Sequence, residues 1–258
     1  MIFLDDNRLA ELEGRASEFL ATKPYPWLAV QGVIRPEAFG QLTAELPRAE
    51  LFHADFGQQR GYGQQSHDRY ALHYYPGLEP ELPVAWRGFL AELQGDAYAR
   101  FLQRIYGLGP GRLSLSMHWH LTPEGASVSP HTDVSRKIGS HIFYLNTEED
   151  WEPGWGGQTL VLDDEGKLDS RSAPAFGALR EVAASVLIGN QSFIFKRTEH
   201  SWHAVNPIAC PPGRFRKVFI VVVNRMNLQV LWRRLRGLDP NGMRLDKQIK
   251  PALLRSAP

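Results

Sequence analysis

The chain has 258 residues, 43% of them hydrophobic and 22% charged, which suffices for one globular domain with its own core and leaves too little for a second. A formal charge of +1 gives no electrostatic ground for a nucleic-acid partner, and a single cysteine, Cys210, excludes an intrachain disulfide framework and any thiolate-rich zinc or iron–sulfur site. The start, MIFLDDNRLAELEG, lacks the basic region and long apolar run of a signal peptide, and no apolar stretch approaches the roughly 20 residues that cross a bilayer, so a cytoplasmic soluble protein without a membrane partner is expected.

From about Asp6 to Ala21, Leu9, Leu12, Ala16, Phe19 and Leu20 recur at helical spacing and predict an amphipathic helix that ends before Pro24. PYPWLAVQGVI predicts a strand, and Pro36 opens a second helix with Phe39, Leu42 and Leu46 on one face. Residues 52–77 are rich in Gly, Gln, His and Tyr without a clear period and predict an irregular excursion placed to cover a site. A third helix is expected from about Leu82 to Tyr106, with a break at Gly95. Beyond Arg112 the pattern changes to LSLSMHWHL, KIGSHIFYLN, GQTLVLDD, AASVLIGNQSFIFK and FRKVFIVVVNR, short runs of β-formers between Gly, Pro and Asp clusters. This order predicts a mainly β fold, a jelly-roll core with the N-terminal helices packed outside it. One domain over 1–258 follows, with a helical part at 1–111, the core at 112–226 and a helical, mildly basic tail at 227–258.

In SPHTDVS, His131 and Asp133 stand two apart, so on an extended strand both side chains share a face and can grip one ion. A ferrous centre that activates dioxygen takes two histidines and one carboxylate and keeps its other positions open. The third ligand must come from EHSWHAVNP, where His200 and His203 are three apart and point to opposite faces of a regular strand, so that only one reaches the ion.

The order PEGASVSPHTD, HIFYLN, WGGQTLVL, EHSWHAVNP and then a basic residue opening FRKVFIVVVN resembles the Fe(II)/2-oxoglutarate dioxygenases of the prolyl 4-hydroxylase-like group, over a little under half the chain. The resemblance implies a double-stranded β-helix, a jelly-roll variant. It implies His131, Asp133 and His203 as iron ligands, with His200 the runner-up or a neighbour of the ligands, and 2-oxoglutarate and O2 as co-substrates. The far carboxylate of 2-oxoglutarate then needs a cation, and the family places it on the strand after the distal histidine. Arg216 shares a face with Val218, Ile220 and Val222 by alternation; Arg214 has the same parity and stays open, while Lys217 should face outward. Tyr144 stands where relatives place a tyrosine that reaches the same carboxylate; the alternative is a core tyrosine bonded to backbone. The implied reaction is oxidative decarboxylation of 2-oxoglutarate to succinate and carbon dioxide with hydroxylation of a C–H bond, and Asp133 argues against a halogenase, which leaves the carboxylate's place to halide.

His118 and His120 share one strand face, opposite to Trp119, and are candidates for the lumen; Trp202, between the two histidines of EHSWH, is a candidate for the pocket wall. Trp151, Trp155 and Gly156–Gly157 are expected to serve the fold. The segment 58–75 and the insert DSRSAPAFGALREV are expected to cover the mouth, and His67, Arg69 and Tyr70 to be solvated surface residues that can bind substrate. The modest size favours a small-molecule substrate over a protein. Three contrasting readings are a protein prolyl hydroxylase of the same family, a zinc hydrolase on the same ligands, and a cupin-like binding module, which needs no buried arginine beside an open metal triad.

Overall fold

The computed structural model describes residues 1–236 apart from 66, 112 and 227. The helical segment at the start divides into α1 (Asp6–Gly14) and α2 (Ala16–Ala21), with Asp5 capping α1 by accepting the Arg8 N–H at 3.0 Å. β1 (Trp27–Gln31) and α3 (Pro36–Ala44) follow, the latter opened by proline at its first turn. Gly95 divides the next pair, α4 (Val84–Leu93) and α5 (Asp96–Ile105), as expected.

The stretch 52–77, expected to be irregular, contains two strands, β2 (His53–Asp55) and β3 (Arg69–His73). Their alternation escaped notice because it is inverted: the polar His53, Asp55, Arg69 and His73 point between the sheets, and the apolar Tyr70 and Leu72 point outward to the helices. The remaining strands are β4 (Ser114–Thr122), β5 (Val128–His131), β6 (Lys137–Tyr144), β7 (Thr159–Asp163), β8 (Arg180–Ala184), β9 (Gln191–Lys196), β10 (His203–Val205) and β11 (Arg216–Asn224). AASVLIGNQSFIFK is therefore not one strand: β8 ends at Ala184 and β9 starts only at Gln191, after a turn through Gly189 and Asn190, both at positive φ.

A seven-stranded sheet runs β1-β9-β6-β11-β4-β3-β2 and a four-stranded sheet β5-β10-β7-β8, and every pairing between strands is antiparallel. Together they form the jelly-roll core. Alternation sorts the large sheet's two faces. Met117, Trp119, Phe143, Ile194, Phe219 and Val221 pack with Trp86, Phe89 and Phe101 of α4 and α5, so the helices share a core with the strands. Each such large apolar side chain contributes about 1.5–3 kcal/mol when fully buried. The other face, with Ile142, Tyr144, Phe193, Phe195 and Val218, meets Val161 of the small sheet. In register on that face, His120 lies opposite Val218 and His118 opposite Ile220, so both histidines face the lumen and Trp119 the helices.

The tail begins as α6 (Leu228–Leu235), amphipathic as expected, and its basic continuation over 237–258 lies outside the described residues. No helix among the described residues is long and apolar enough to cross a membrane.

Candidate metal centre

β5 ends at His131, and β10 begins at His203 directly opposite it in the antiparallel ladder. That pairing brings together two imidazoles 72 positions apart, with ring centroids 4.3 Å from each other. Asp133 follows two residues after His131, and one ligand atom from each of His131, Asp133 and His203 lies within 4.8 Å of the others.

Backbone carbonyls set the imidazole tautomers. His131 Nδ1 is 2.9 Å from Ser129 O and His203 Nδ1 is 3.0 Å from Ser201 O. Since a carbonyl only accepts, each Nδ1 carries the proton and each Nε2 keeps its lone pair for a metal. Burial pushes His131 down to about 3, and also lowers His203, so both stay neutral at ordinary pH. Burial on its own would raise the Asp133 carboxyl, but it is outweighed, with the Lys137 ammonium the leading opposing cause, and the group is held below the usual carboxylate range. Lys137 Nζ sits 2.7 Å from Asp133 Oδ1, and Arg197 Nε donates to the Asp133 carbonyl at 3.0 Å, which fixes the turn that carries the ligand. Two neutral imidazoles and one ionised carboxylate, with ligand atoms within 4.8 Å of one another, form the donor set that suits ferrous iron with open positions. Sequence reasoning missed Lys137, whose only signal is its position four residues after Asp133.

His200 is not in this group. Its Nδ1 contacts Asp164 at 2.8 Å, with the side chain 44% exposed. His67, Arg69 and Tyr70, expected to be solvated, are not. The His67 ring stands 4.8 Å from that of His131 with Nε2 buried and unpartnered among the described residues, Arg69 pairs with Asp55 at 2.7 Å, and Tyr70 packs edge-on against Phe56 and Phe215.

Arg216 is buried, whereas Arg214 is exposed in the turn beyond Gly213. The Arg216 Nε donates to Gly157 O at 2.6 Å and one Nη to Thr159 Oγ1 at 3.1 Å, and its Cζ stands 5.6 Å from the centre of the Tyr144 ring. No carboxylate of the described residues pairs with it. A buried guanidinium without an anion is costly, so an anion bound beside Arg216 would be favoured. The Tyr144 hydroxyl donates to Thr159 Oγ1 at 2.8 Å, beside the same guanidinium and not to backbone. Thr159 thus gathers both groups; sequence reasoning passed over it although it opens the strand of GGQTLVL. Lys217 faces outward and pairs with Asp150.

Gly157 has φ +79°, which aims its carbonyl at Arg216, and a Cβ there would stand 3.1 Å from Arg216 Cδ. Trp151 is buried and packs edge-on against Trp155 beneath this turn, a structural role as expected. Trp202, expected on the pocket wall, is not there. It is fully buried with Leu160, Leu162 and Ala204 on the opposite face of the small sheet, under Leu168, Phe176 and Leu179, because its parity is opposite to that of His203. Segments 63–65 and 173–176 flank a cleft of about 210 Å³ beside Ser129 and Pro130, which places both predicted covers next to the strand of the first metal-site histidine.

The family model described as the 2OG-Fe(II) oxygenase superfamily matches residues 117–222. No curated relative matches the chain. Among solved structures, the chain is similar to a prolyl-4-hydroxylase of Pseudomonas putida at 22% identity and TM-score 0.54, covering 83% of this chain and 99% of that one. A prolyl hydroxylase from Trichoplax adhaerens, in complex with a hypoxia inducible factor oxygen degradation domain peptide fragment, is 14% identical with TM-score 0.55 over 84% of this chain and 91% of that one. The non-heme alpha ketoglutarate dependent epimerase SnoN from nogalamycin biosynthesis is 13% identical with TM-score 0.52 over 85% and 83%.

Proposed function

We propose that this chain, whose residues 117–222 match the model of the 2OG-Fe(II) oxygenase superfamily, works with Fe(II), 2-oxoglutarate and O2 and hydroxylates an unactivated C–H bond of a small molecule. His131, Asp133 and His203 hold the iron, and Arg216 with Tyr144 holds the far carboxylate of 2-oxoglutarate. The observation that supports this most is the pairing, within one lumen, of a three-donor cluster with a buried guanidinium that has no carboxylate partner among the described residues.

When bound, the iron and the keto acid supply the oxidation: one oxygen atom of O2 enters succinate as carbon dioxide leaves, and the other enters the C–H bond. The protein's own part is positional. Ser129 O and Ser201 O keep the imidazole protons on Nδ1, so both Nε2 lone pairs would be free for the ion. Lys137 engages Asp133 Oδ1 and so orients the carboxylate that would be the third ligand. Gly157 O and Thr159 occupy two of the Arg216 N–H directions, which turns the rest of the planar fork toward a carboxylate for charge-assisted hydrogen bonds. Ile142, Val161, Phe195 and Val218 are buried together in the apolar cluster between the two sheets, which would keep bulk water from the site. The single, buried Cys210 suits a reducing, cytoplasmic setting, and the whole chain acts as one oxygenase domain, since helices and strands share a core.

The test is 2-oxoglutarate turnover to succinate in air with added Fe(II) and no second substrate, together with Fe(II) binding. Alanine at His131, Asp133 or His203 is expected to abolish both. Arg216→Ala keeps iron and loses 2-oxoglutarate, and His200→Ala behaves as the parent. Full turnover in His203→Ala with loss in His200→Ala overturns the ligand assignment.

A further inference from the structure

Beyond His67, whose ring neighbours that of His131, the lumen wall built by β2, β3 and β4 carries basic groups that the proposed chemistry leaves unused. Arg69 lies across the ladder from Asp55, and its Nη2 is 2.7 Å from Asp55 Oδ2. Arg60 Nη2 reaches that same oxygen at 3.6 Å. One carboxylate is therefore shared by two guanidiniums. The other Nη of Arg69 donates to His67 O at 2.9 Å, while the Nε atoms of Arg69 and Arg60 are both buried without a partner among the described residues. Asp68, the next carboxylate, accepts the Gly57 N–H at 2.9 Å and acts on Arg69 at longer range.

Imidazoles continue the wall. Successive ring centroids are 5.7 Å apart for His53 and His73, 5.0 Å for His73 and His118, and 4.6 Å for His118 and His120. Among the described residues neither ring nitrogen of His73 has a partner, nor has Nδ1 of His118. Burial first, and Arg69 as a contributor, keep His73, His118 and His120 neutral, so each ring has one N–H to give. The Arg69 and Arg60 Nε–H groups and the His73 N–H are buried donors without an acceptor among the described residues, which is destabilising. A ligand group with only acceptors complements such a wall.

Resting on the oxygenase reading above, we propose that this wall is an oxyanion subsite for the primary substrate, with Arg69 and Arg60 at its centre and His73 and His120 as flanking donors. The substrate is then a short acidic molecule. Its anionic group docks on the arginines, and its reacting carbon extends past His67, whose ring stands 4.8 Å from His131, to the open side of the metal centre. Asp55 is the resident counter-ion that the substrate's oxyanion competes with. A planar carboxylate and a phosphate share this chemistry, and the assay separates them.

The experiment uses the full chain loaded with Mn(II) and saturating 2-oxoglutarate, so that the Arg216 end is filled. Probes are N-acetyl amino acids as free acids, the same compounds as carboxamides, and glycerol phosphate, read by thermal shift and calorimetry. At least one acid, or glycerol phosphate if the anion is a phosphate, is expected to bind, with affinity falling tenfold or more in Arg69→Gln and Arg60→Gln. Asp55→Asn should tighten it at least tenfold, which a purely structural ion pair does not predict. If Arg69→Gln does not fold, the more exposed Arg60 and the Asp55→Asn gain carry the test. Carboxamides binding as tightly as acids, no anion binding at all, or affinities unchanged by these substitutions each overturn the proposal. The 2-oxoglutarate shift itself should survive Arg69→Gln and vanish in Arg216→Ala; its absence from the parent protein marks failure of the oxygenase reading instead.

Discussion

Lys137 Nζ and Asp133 Oδ1 stand 2.7 Å apart, so the carboxylate of the proposed metal triad is held by an ammonium from the first residue of β6. Two opposing effects meet there. The ammonium orients the carboxylate and keeps it ionised, yet it also repels a dication. Groups that orient a ligand typically contribute 10–100-fold in metal affinity, and loss of the repulsion puts Lys137→Met at the low end, about tenfold weaker for Fe(II) or Mn(II). The carboxyl should also protonate at higher pH in the variant, because burial raises it once Lys137 is gone. Metal titrations at pH 7 and pH 5.5 check this, with the larger deficit at pH 5.5; equal affinity of variant and parent at both pH values removes the role.

At the other end of the lumen, Arg216→Met should leave metal affinity intact and raise the Kd for 2-oxoglutarate about 100-fold, the order of 3 kcal/mol that a charge-assisted pair carries. Arg216→Lys should recover only part of this, since an ammonium cannot reproduce the planar fork. Tyr144→Phe removes a hydroxyl that donates to Thr159 and should cost a smaller factor, about three- to tenfold. Calorimetric titration of the Mn(II)-loaded variants ranks the three, and equal losses in Arg216→Met and Tyr144→Phe contradict the assignment.

Gly157→Ala tests whether the turn positions the arginine. The backbone at φ +79° disfavours a Cβ by about 1–2 kcal/mol, and the new methyl would crowd Arg216 Cδ at 3.1 Å and Trp151 Cζ2 at 3.3 Å. A loss of stability of that size should come with weaker 2-oxoglutarate binding. Gly156→Ala should be the more damaging for folding, because its Cβ would lie 2.0 Å from Pro207 O, against backbone that cannot rotate away.

What the sequence made legible follows one physical rule. Strands with apolar residues on the covered face could be read by alternation, and Arg216 was placed on the same face as Val218 for that reason. β2 and β3 were not read, since their lumen face is polar and their apolar face lies under helices, the inverse of the usual pattern. Trp202 is adjacent to His203 in sequence, but alternation turns it to the opposite face of the small sheet, away from the lumen. Lys137, Thr159 and the Ser129 and Ser201 carbonyls act across pairs and turns whose register no local pattern encodes.

Acid should destabilise the metal-free protein through imidazoles that cannot take a proton in the fold. His141 is fully buried among the helix-side core, with Nδ1 2.8 Å from the Tyr98 hydroxyl, and burial pushes it down to about 3 from 6.5. The unfolded chain protonates this residue below pH 6.5, while the folded chain does so only near pH 3. Stability present above pH 6.5 is therefore lost as pH falls through that window, at up to about 1.4 kcal/mol per pH unit for one histidine. The double substitution Tyr98→Phe and His141→Leu removes donor and acceptor together, so its cost at pH 7 should stay near 1 kcal/mol. Its urea midpoint should then decline less steeply than the parent's between pH 6.5 and pH 4. Parallel slopes for the two proteins would show that the proton uptake belongs to other groups.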